Sequence, residues 1–176
     1  TSKVLPAAAK GNSAAAELVP ELAAKVAGQL TSRSQQLMPR PKTALSVAGE
    51  LSETVKGNGR KVHVKIAENI STPAIDPAAE TELKKLLIAL GFEVTENRQD
   101  AEYLFLGEGL AADSGRYRNF SSSTARLELN LYKGKQLLLS DRQKETVAGA
   151  SYVIAAKDAL AQGSLNLARR MLPALK

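Results

Sequence analysis

Apolar and polar positions alternate most cleanly between Ser121 and Tyr132. Ala125, Leu127, Leu129 and Leu131 fall on one side, and Thr124, Arg126, Glu128 and Asn130 on the other. Successive side chains of a strand point to opposite faces, so this period of two predicts a strand with one face on a core and one toward solvent. Gln136 to Thr146 reads as its partner across the tight turn Lys133-Gly134-Lys135. On the other side, Tyr103 to Leu110 is strand-like but interrupted by Gly107 and Gly109. Two glycines there signal a bulge, a bend, or close approach of another backbone. Ala111 to Phe120 forms the hairpin end between these strands, with Asp113-Ser114-Gly115 as turn chemistry. Asp100 to Gly149 is therefore read as three consecutive antiparallel strands. Arg60 to Glu68 adds an earlier strand, with Val62, Val64 and Ile66 facing a core and Lys61, His63 and Lys65 facing away.

Helical spacing accounts for most of the remainder. Leu22, Val26 and Leu30 recur at intervals of four within Glu17 to Thr31. Ser32 to Lys42 breaks this helix, since Pro39 and Pro41 disfavour helix on either side of Arg40. Thr43 to Lys56 reads as a second helix with Thr43 as N-cap, apolar at Leu45, Val47, Leu51 and Val55, and ended by Gly57-Asn58-Gly59. A third helix opens at Asp76-Pro77, with Asp76 as N-cap, Pro77 in the first position and Glu80 in the first turn. Leu83, Leu86, Leu87 and Leu90 are its buried stripe, and after Gly91 comes a short strand at Phe92-Glu93-Val94. Ser151 to Leu172 is a long closing helix, with Val153, Ala156, Leu160, Leu167 and Met171 on one face, Ile154, Ala161, Leu165, Ala168 and Leu172 beside them, and Pro173 as its stop.

This order predicts an α/β (α+β) fold. Its expected centre is a twisted, mixed, largely antiparallel five-stranded sheet with helices packed on it, plus two extra N-terminal helices. Residues 1–15 are rich in Ala, Ser and Gly and are expected to be poorly ordered. Residues 16–176 are expected to form a single domain, with a helical extension over 16–57 and the sheet core over 60–176.

Composition narrows the function. At 44% hydrophobic and 4% aromatic, the core must be built from aliphatic side chains. No apolar run approaches the roughly 20 residues of a membrane span. The longest runs, Leu86 to Leu90 and Leu137 to Leu139, are of core size. The net charge of +6 comes from 24 basic and 18 acidic residues, interspersed, which reads as a solvated surface more than a polyanion-binding stripe. There is no cysteine, which excludes disulfides, thiolate metal sites and cysteine nucleophiles.

The chemical candidates are few. His63 is the only histidine, which excludes multi-histidine metal sites and histidine triads by count, and it reads as an exposed strand residue between two lysines. Glu93, Glu96, Asp100 and Glu102 cluster in sequence and read as a charged strand end. Gly107-Glu108-Gly109 precedes strand-like residues, and Gly57-Asn58-Gly59 precedes a strand, so neither has the helix a dinucleotide or phosphate loop requires. No cofactor and no metal site is expected. One surface stretch stands out. Arg116, Tyr117, Arg118 and Phe120 interleave cations with aromatics at the predicted hairpin tip. Packing of Tyr117 and Phe120 beneath the hairpin, with solvated arginines, is the plainer reading. A projecting recognition tip is the functional one. The looped cations Arg33, Arg40 and Lys42 are a weaker candidate.

From Lys61 onward the pattern also resembles a group of bacterial envelope proteins. The likeness rests on Asp100-Ala101-Glu102-Tyr103-Leu104 leading to Gly107, then Thr124 to Leu129, then Lys133-Gly134-Lys135 with Ser140 to Gln143, and the helix end from Leu167 to Pro173. The group includes the periplasmic domain of the curli secretion lipoprotein, the lipoprotein activators of penicillin-binding proteins, and the N-terminal domain of the Tol translocation protein. The resemblance implies a non-enzymatic α/β domain, periplasmic or outer-membrane-associated, often lipid-anchored, that docks onto an envelope protein. The chain begins at Thr1, which reads as a trimmed piece or a mature form, and any signal peptide or lipid-modified cysteine is expected upstream. The expected function is thus an accessory or adaptor domain that binds a protein partner. The alternative is a basic nucleic-acid-binding domain using the sheet face and the 116–120 tip, and a hydrolase relying on carboxylates alone is the weakest reading.

Overall fold

The computed structural model describes residues 19–29, 41–70 and 76–175. The expectations for residues 1–15, for the break at 32–40 and for Leu30 lie outside the described residues. The chain divides into two compact units, Thr1–Arg40 and Pro41–Lys176. In the first, residues 19–29 form a helix, α1, which carries Leu22 and Val26.

The second unit is a mixed five-stranded sheet in the order β2-β1-β3-β4-β5, with β1 Lys61–Ile70, β2 Glu93–Val94, β3 Tyr103–Tyr117, β4 Phe120–Lys133 and β5 Gln136–Gly149. β1 runs parallel to both β2 and β3, while β3–β4 and β4–β5 are antiparallel. Three helices complete the unit: α2 Ala44–Leu51, α3 Ala78–Ala89 and α4 Tyr152–Met171. α4 packs on β3, β4 and β5, whereas α3 packs on β1, β2 and α4. The predicted alternation is kept. Val62, Val64 and Ile66 of β1 and Ala125, Leu127, Leu129 and Leu131 of β4 are buried with Leu83, Leu86, Leu87, Leu160 and Leu167 of the helices. The other face of the sheet carries Leu110, Arg126, Arg142 and Lys144 exposed.

Several expectations are corrected. α2 stops at Leu51 and not at Lys56, because residues 52–54 turn and the chain is drawn onto the end of α3. There Gly57 N–H donates to Leu90 O at 2.8 Å and Gly59 N–H to Gly91 O at 2.9 Å. Leu45, expected in the apolar face, is 75% exposed, and Ala44 and Ala48 take the buried positions with Val47 and Leu51. Thr43 does cap this helix, exchanging hydrogen bonds with Ser46 in both directions. Ile154 of α4 is exposed, and so are Leu137 and Leu138. The latter two sit where β5 slips by one residue against Leu131 and Tyr132, on the outermost strand of the sheet, so the bulge turns them away from the core.

The two glycines of β3 mark close approach and not a bulge. Gly107 pairs with Leu129 and Gly109 with Leu127 in unbroken register. A Cβ on Gly107 would lie 2.4 Å from the Glu128 carbonyl oxygen, and one on Gly109 only 2.7 Å from Leu160 Cδ2. Gly107→Ala is therefore expected to destabilise by about 1–3 kcal/mol in urea unfolding, as overpacking against backbone does. An unchanged midpoint would mean that the strands are further apart than this.

Candidate functional site

The hairpin predicted to open at Ala111 instead stays in strand to its end. β3 continues to Tyr117 and β4 starts at Phe120, so only Arg118 and Asn119 form the turn. Asp113-Ser114-Gly115 is not the turn but an irregularity inside β3, where the register shifts between Asp113 and Gly115. Asp113 Oδ1 accepts from Gly115 N–H at 2.7 Å, and Gly115 has φ 124°. The ribbon is reinforced by a row of hydroxyls, with Ser114 Oγ 2.6 Å from Thr124 Oγ1, which is 2.8 Å from Thr146 Oγ1. At its root, the Tyr152 hydroxyl donates to Ala111 O at 2.9 Å.

The four residues singled out from the sequence are thus gathered at one end of the sheet. Tyr117 and Phe120 are the last backbone pair of the ladder. Phe120 is 60% exposed and therefore does not tuck under the hairpin. Arg116 and Arg118 are exposed as well, and Arg116 Nε donates to Arg118 O at 3.3 Å. Arg118 has φ 52°, at the first central position of a two-residue turn. Left-handed backbone costs an L-residue about 1–2 kcal/mol, and glycine is the usual occupant there. An arginine at this position combines that cost with an exposed cationic side chain.

Other sequence candidates resolve differently. His63 is buried, contrary to the exposed position expected for it. Residues 95–102 connect β2 to β3, which lie on opposite sides of β1, so this segment crosses β1. His63 Nδ1 bonds Thr95 O of that segment at 3.0 Å. The acids at 93–102 are spread over separate partners: Glu93 with Lys61, Glu96 with Lys84 and Glu102 with Lys133. Among the described residues, no group of three or more His, Cys, Asp or Glu could hold a metal ion. Of the basic loop trio only Lys42 is described, and its backbone N–H and C=O both bond the Gln162 amide.

A shallow depression of about 510 Å³ lies on the uncovered face between Glu68, Asn69, Glu108, Leu110, Arg126 and Glu128. Glu108 stands directly opposite Glu128, and Arg126 pairs with Glu128 along its own strand. The signs are mixed, which suits neither a phosphate backbone nor a deep ligand pocket.

Two features were missed in the sequence. Glu80, read there only as a first-turn acid, is a buried carboxylate that accepts from Ile66 N–H at 3.0 Å and pairs with Lys84 at 3.0 Å and Lys65 at 3.7 Å. Burial opposes its ionisation, but Ile66 N–H and Lys84 outweigh burial and hold the carboxyl below its usual range. Glu68 returns the exchange: its oxygens accept from Ala78 and Glu80 N–H at 2.9 and 3.0 Å and cap α3. This displaces Asp76 from its expected capping role, and Pro77 stands at the N-cap without a side-chain bond. Burial pushes the Glu68 carboxyl above its usual range despite those N–H donors. The second feature is Arg60. Its guanidinium lies over Phe92 and Tyr103, 5.3 and 5.4 Å from the ring centres, and its Nη2 donates to Lys56 O at 2.8 Å. It pins the start of β1 to the segments that follow α2 and α3.

No family model matches the chain, and no curated protein matches it either. Solved bacterial structures do. A protein of the DUF330 family from Xanthomonas campestris aligns at 12% identity over 68% of this chain and 87% of its own, with a TM-score of 0.47. A minor lipoprotein from Acinetobacter baumannii aligns at 16% identity over 66% and 92%, with a TM-score of 0.42. The PelC dodecamer from Paraburkholderia phytofirmans aligns at 17% identity over 64% and 91%, also at 0.42. No described helix is long and apolar enough to cross a membrane.

Proposed function

We propose that this chain is a non-enzymatic accessory or adaptor domain of a bacterial envelope, exported to the periplasm or the outer membrane, which binds a protein partner through the β3–β4 tip. The observation that carries the tip is the exposed Phe120 beside two exposed arginines on a backbone held in strand geometry to its last pair. An aromatic anchor ringed by arginines is a common composition for interface hot spots. The envelope setting is supported by the sequence resemblance from Asp100 to Pro173.

A photo-reactive residue at position 120, expressed in a Gram-negative host, tests this. The expected result is a discrete crosslink to an envelope protein that is absent when the same residue replaces Lys85, far along the chain on α3. Equal crosslinking from both positions sinks the tip. Arg116→Ala with Arg118→Ala should abolish the crosslink while thermal stability stays within about 0.5 kcal/mol, as for other surface changes. Unfolding of this double variant would make the arginines structural.

The nucleic-acid alternative is disfavoured by Glu108 and Glu128 at the centre of the open face. Filter binding to DNA or RNA should show no salt-dependent affinity.

A further inference from the structure

We propose that the Arg170–Asp141–Gln143 network is a guard that closes the outer edge of β5 against strand addition by a second copy of this chain. β5 is a fourteen-residue strand with no strand paired to its far side among the described residues. A long unpaired edge is a template for pairing, and proteins that leave one open must manage it.

Backbone direction alternates along a strand, so one bond identifies every outward group. Arg170 Nη2, from α4, donates to Arg142 O at 3.2 Å. Arg142 O is therefore directed away from β4, and the N–H and C=O of Ser140, Lys144 and Thr146 share that direction. The middle of this row is already occupied. Arg142 N–H donates to Asp141 Oδ1 at 2.7 Å, and Gln143 Nε2 donates to Lys144 O at 3.3 Å. Those two side chains are in turn fixed by Arg170, whose Nε is 2.7 Å from Asp141 Oδ2 and whose Nη1 is 2.8 Å from Gln143 Oε1. Gln143 Nε2 also donates to Glu145 Oε1 at 2.8 Å, and Asn166 holds the same oxygen at 2.5 Å. Three of the four outward groups of residues 142 and 144 thus have partners within the chain.

Charge closes the same place. Two copies of β5 paired antiparallel about Gln143 would set Arg142 against Lys144 and Asp141 against Glu145. Like charges directly opposite one another are destabilising. A second copy is the relevant occupant because it carries the same fourteen residues at the protein's own concentration.

Asp141→Thr with Arg170→Ala removes the guard and one repulsive pair. At high salt, which screens Arg142 from Lys144, this variant is expected to show a concentration-dependent rise in mass over wild type by light scattering. Adding Lys144→Pro, which deletes an outward N–H, should return the mass to the wild-type value. A folded variant of unchanged mass overturns the proposal, as does association that survives Lys144→Pro. Should the variant fail to fold, hydrogen exchange on the wild-type protein decides. The Arg142 amide, bonded to a carboxylate, should exchange about tenfold or more slowly than the outward amides of Ser140 and Thr146. Equal rates overturn the guard.

Discussion

Replacing Glu80 with alanine is expected to lower stability by about 3–5 kcal/mol, the usual result of removing one partner from a buried charge pair. The carboxylate is buried and serves two clients. It gives Ile66 N–H its acceptor, where β1 has run past its short neighbour β2, and it faces Lys84. Alanine would leave a backbone N–H without its acceptor and a partly buried lysine with only the exposed Glu96 opposite it. Chemical denaturation of the variant checks the size of the loss, and pH checks the mechanism. Because the Glu80 carboxyl is held below its usual value of 4.5, its stabilising share is fully present above that pH. The share is lost as pH falls from there through the lower folded value, since over that window the unfolded chain takes up the proton more readily than the folded one. The gap between wild type and Glu80→Ala should accordingly be widest near neutrality and shrink in acid. A gap independent of pH would assign the loss to packing.

Leu129→Ala should cost roughly 2–5 kcal/mol by the same measurement, as a truncation at the centre of the core. Leu129 has no exposed surface and stands opposite Gly107, whose missing side chain leaves the space its Cδ1 occupies. The neighbouring Leu127 is equally buried and packs under α4 near Gly163. Both are held in a paired central strand, so the cavity has little freedom to collapse. A near-silent substitution would mean that β4 presents its other face to the helices.

These two sites show what could and could not be read from the chain. Leu129 was legible because a period of two in a long strand can be satisfied by only one facing, and the same holds for Val62, Val64 and Ile66. The helical stripe Leu83-Leu86-Leu87 was legible for the equivalent reason at period 3.6. Glu80 was not. Its role depends on a β1 edge that β2 leaves uncovered, a matter of strand order and length that local pattern does not encode. His63 failed for a related reason: alternation places it on the open face correctly, but the crossing of residues 95–102 covers it there. Asp113-Ser114-Gly115 has the composition of a turn, yet a register shift uses the same residues, and the true turn at Arg118-Asn119 lacks the glycine that would have announced it. The run Leu137 to Leu139 read only as one of core size, and hydrophobicity alone does not distinguish an edge bulge from a buried strand. The tip residues were found by composition, and the structure adds the exposure of Arg116, Arg118 and Phe120.

The ladder at that tip has a thermodynamic consequence. Ser121 is paired on both sides, with Arg116 of β3 and Gly149 of β5, so a third strand backs the ribbon almost to Phe120. A ligand that docks there meets backbone whose conformational freedom was surrendered during folding. Association then orders side chains alone, at about 0.5–1.5 kcal/mol for each long one immobilised, and leaves no loop to be frozen.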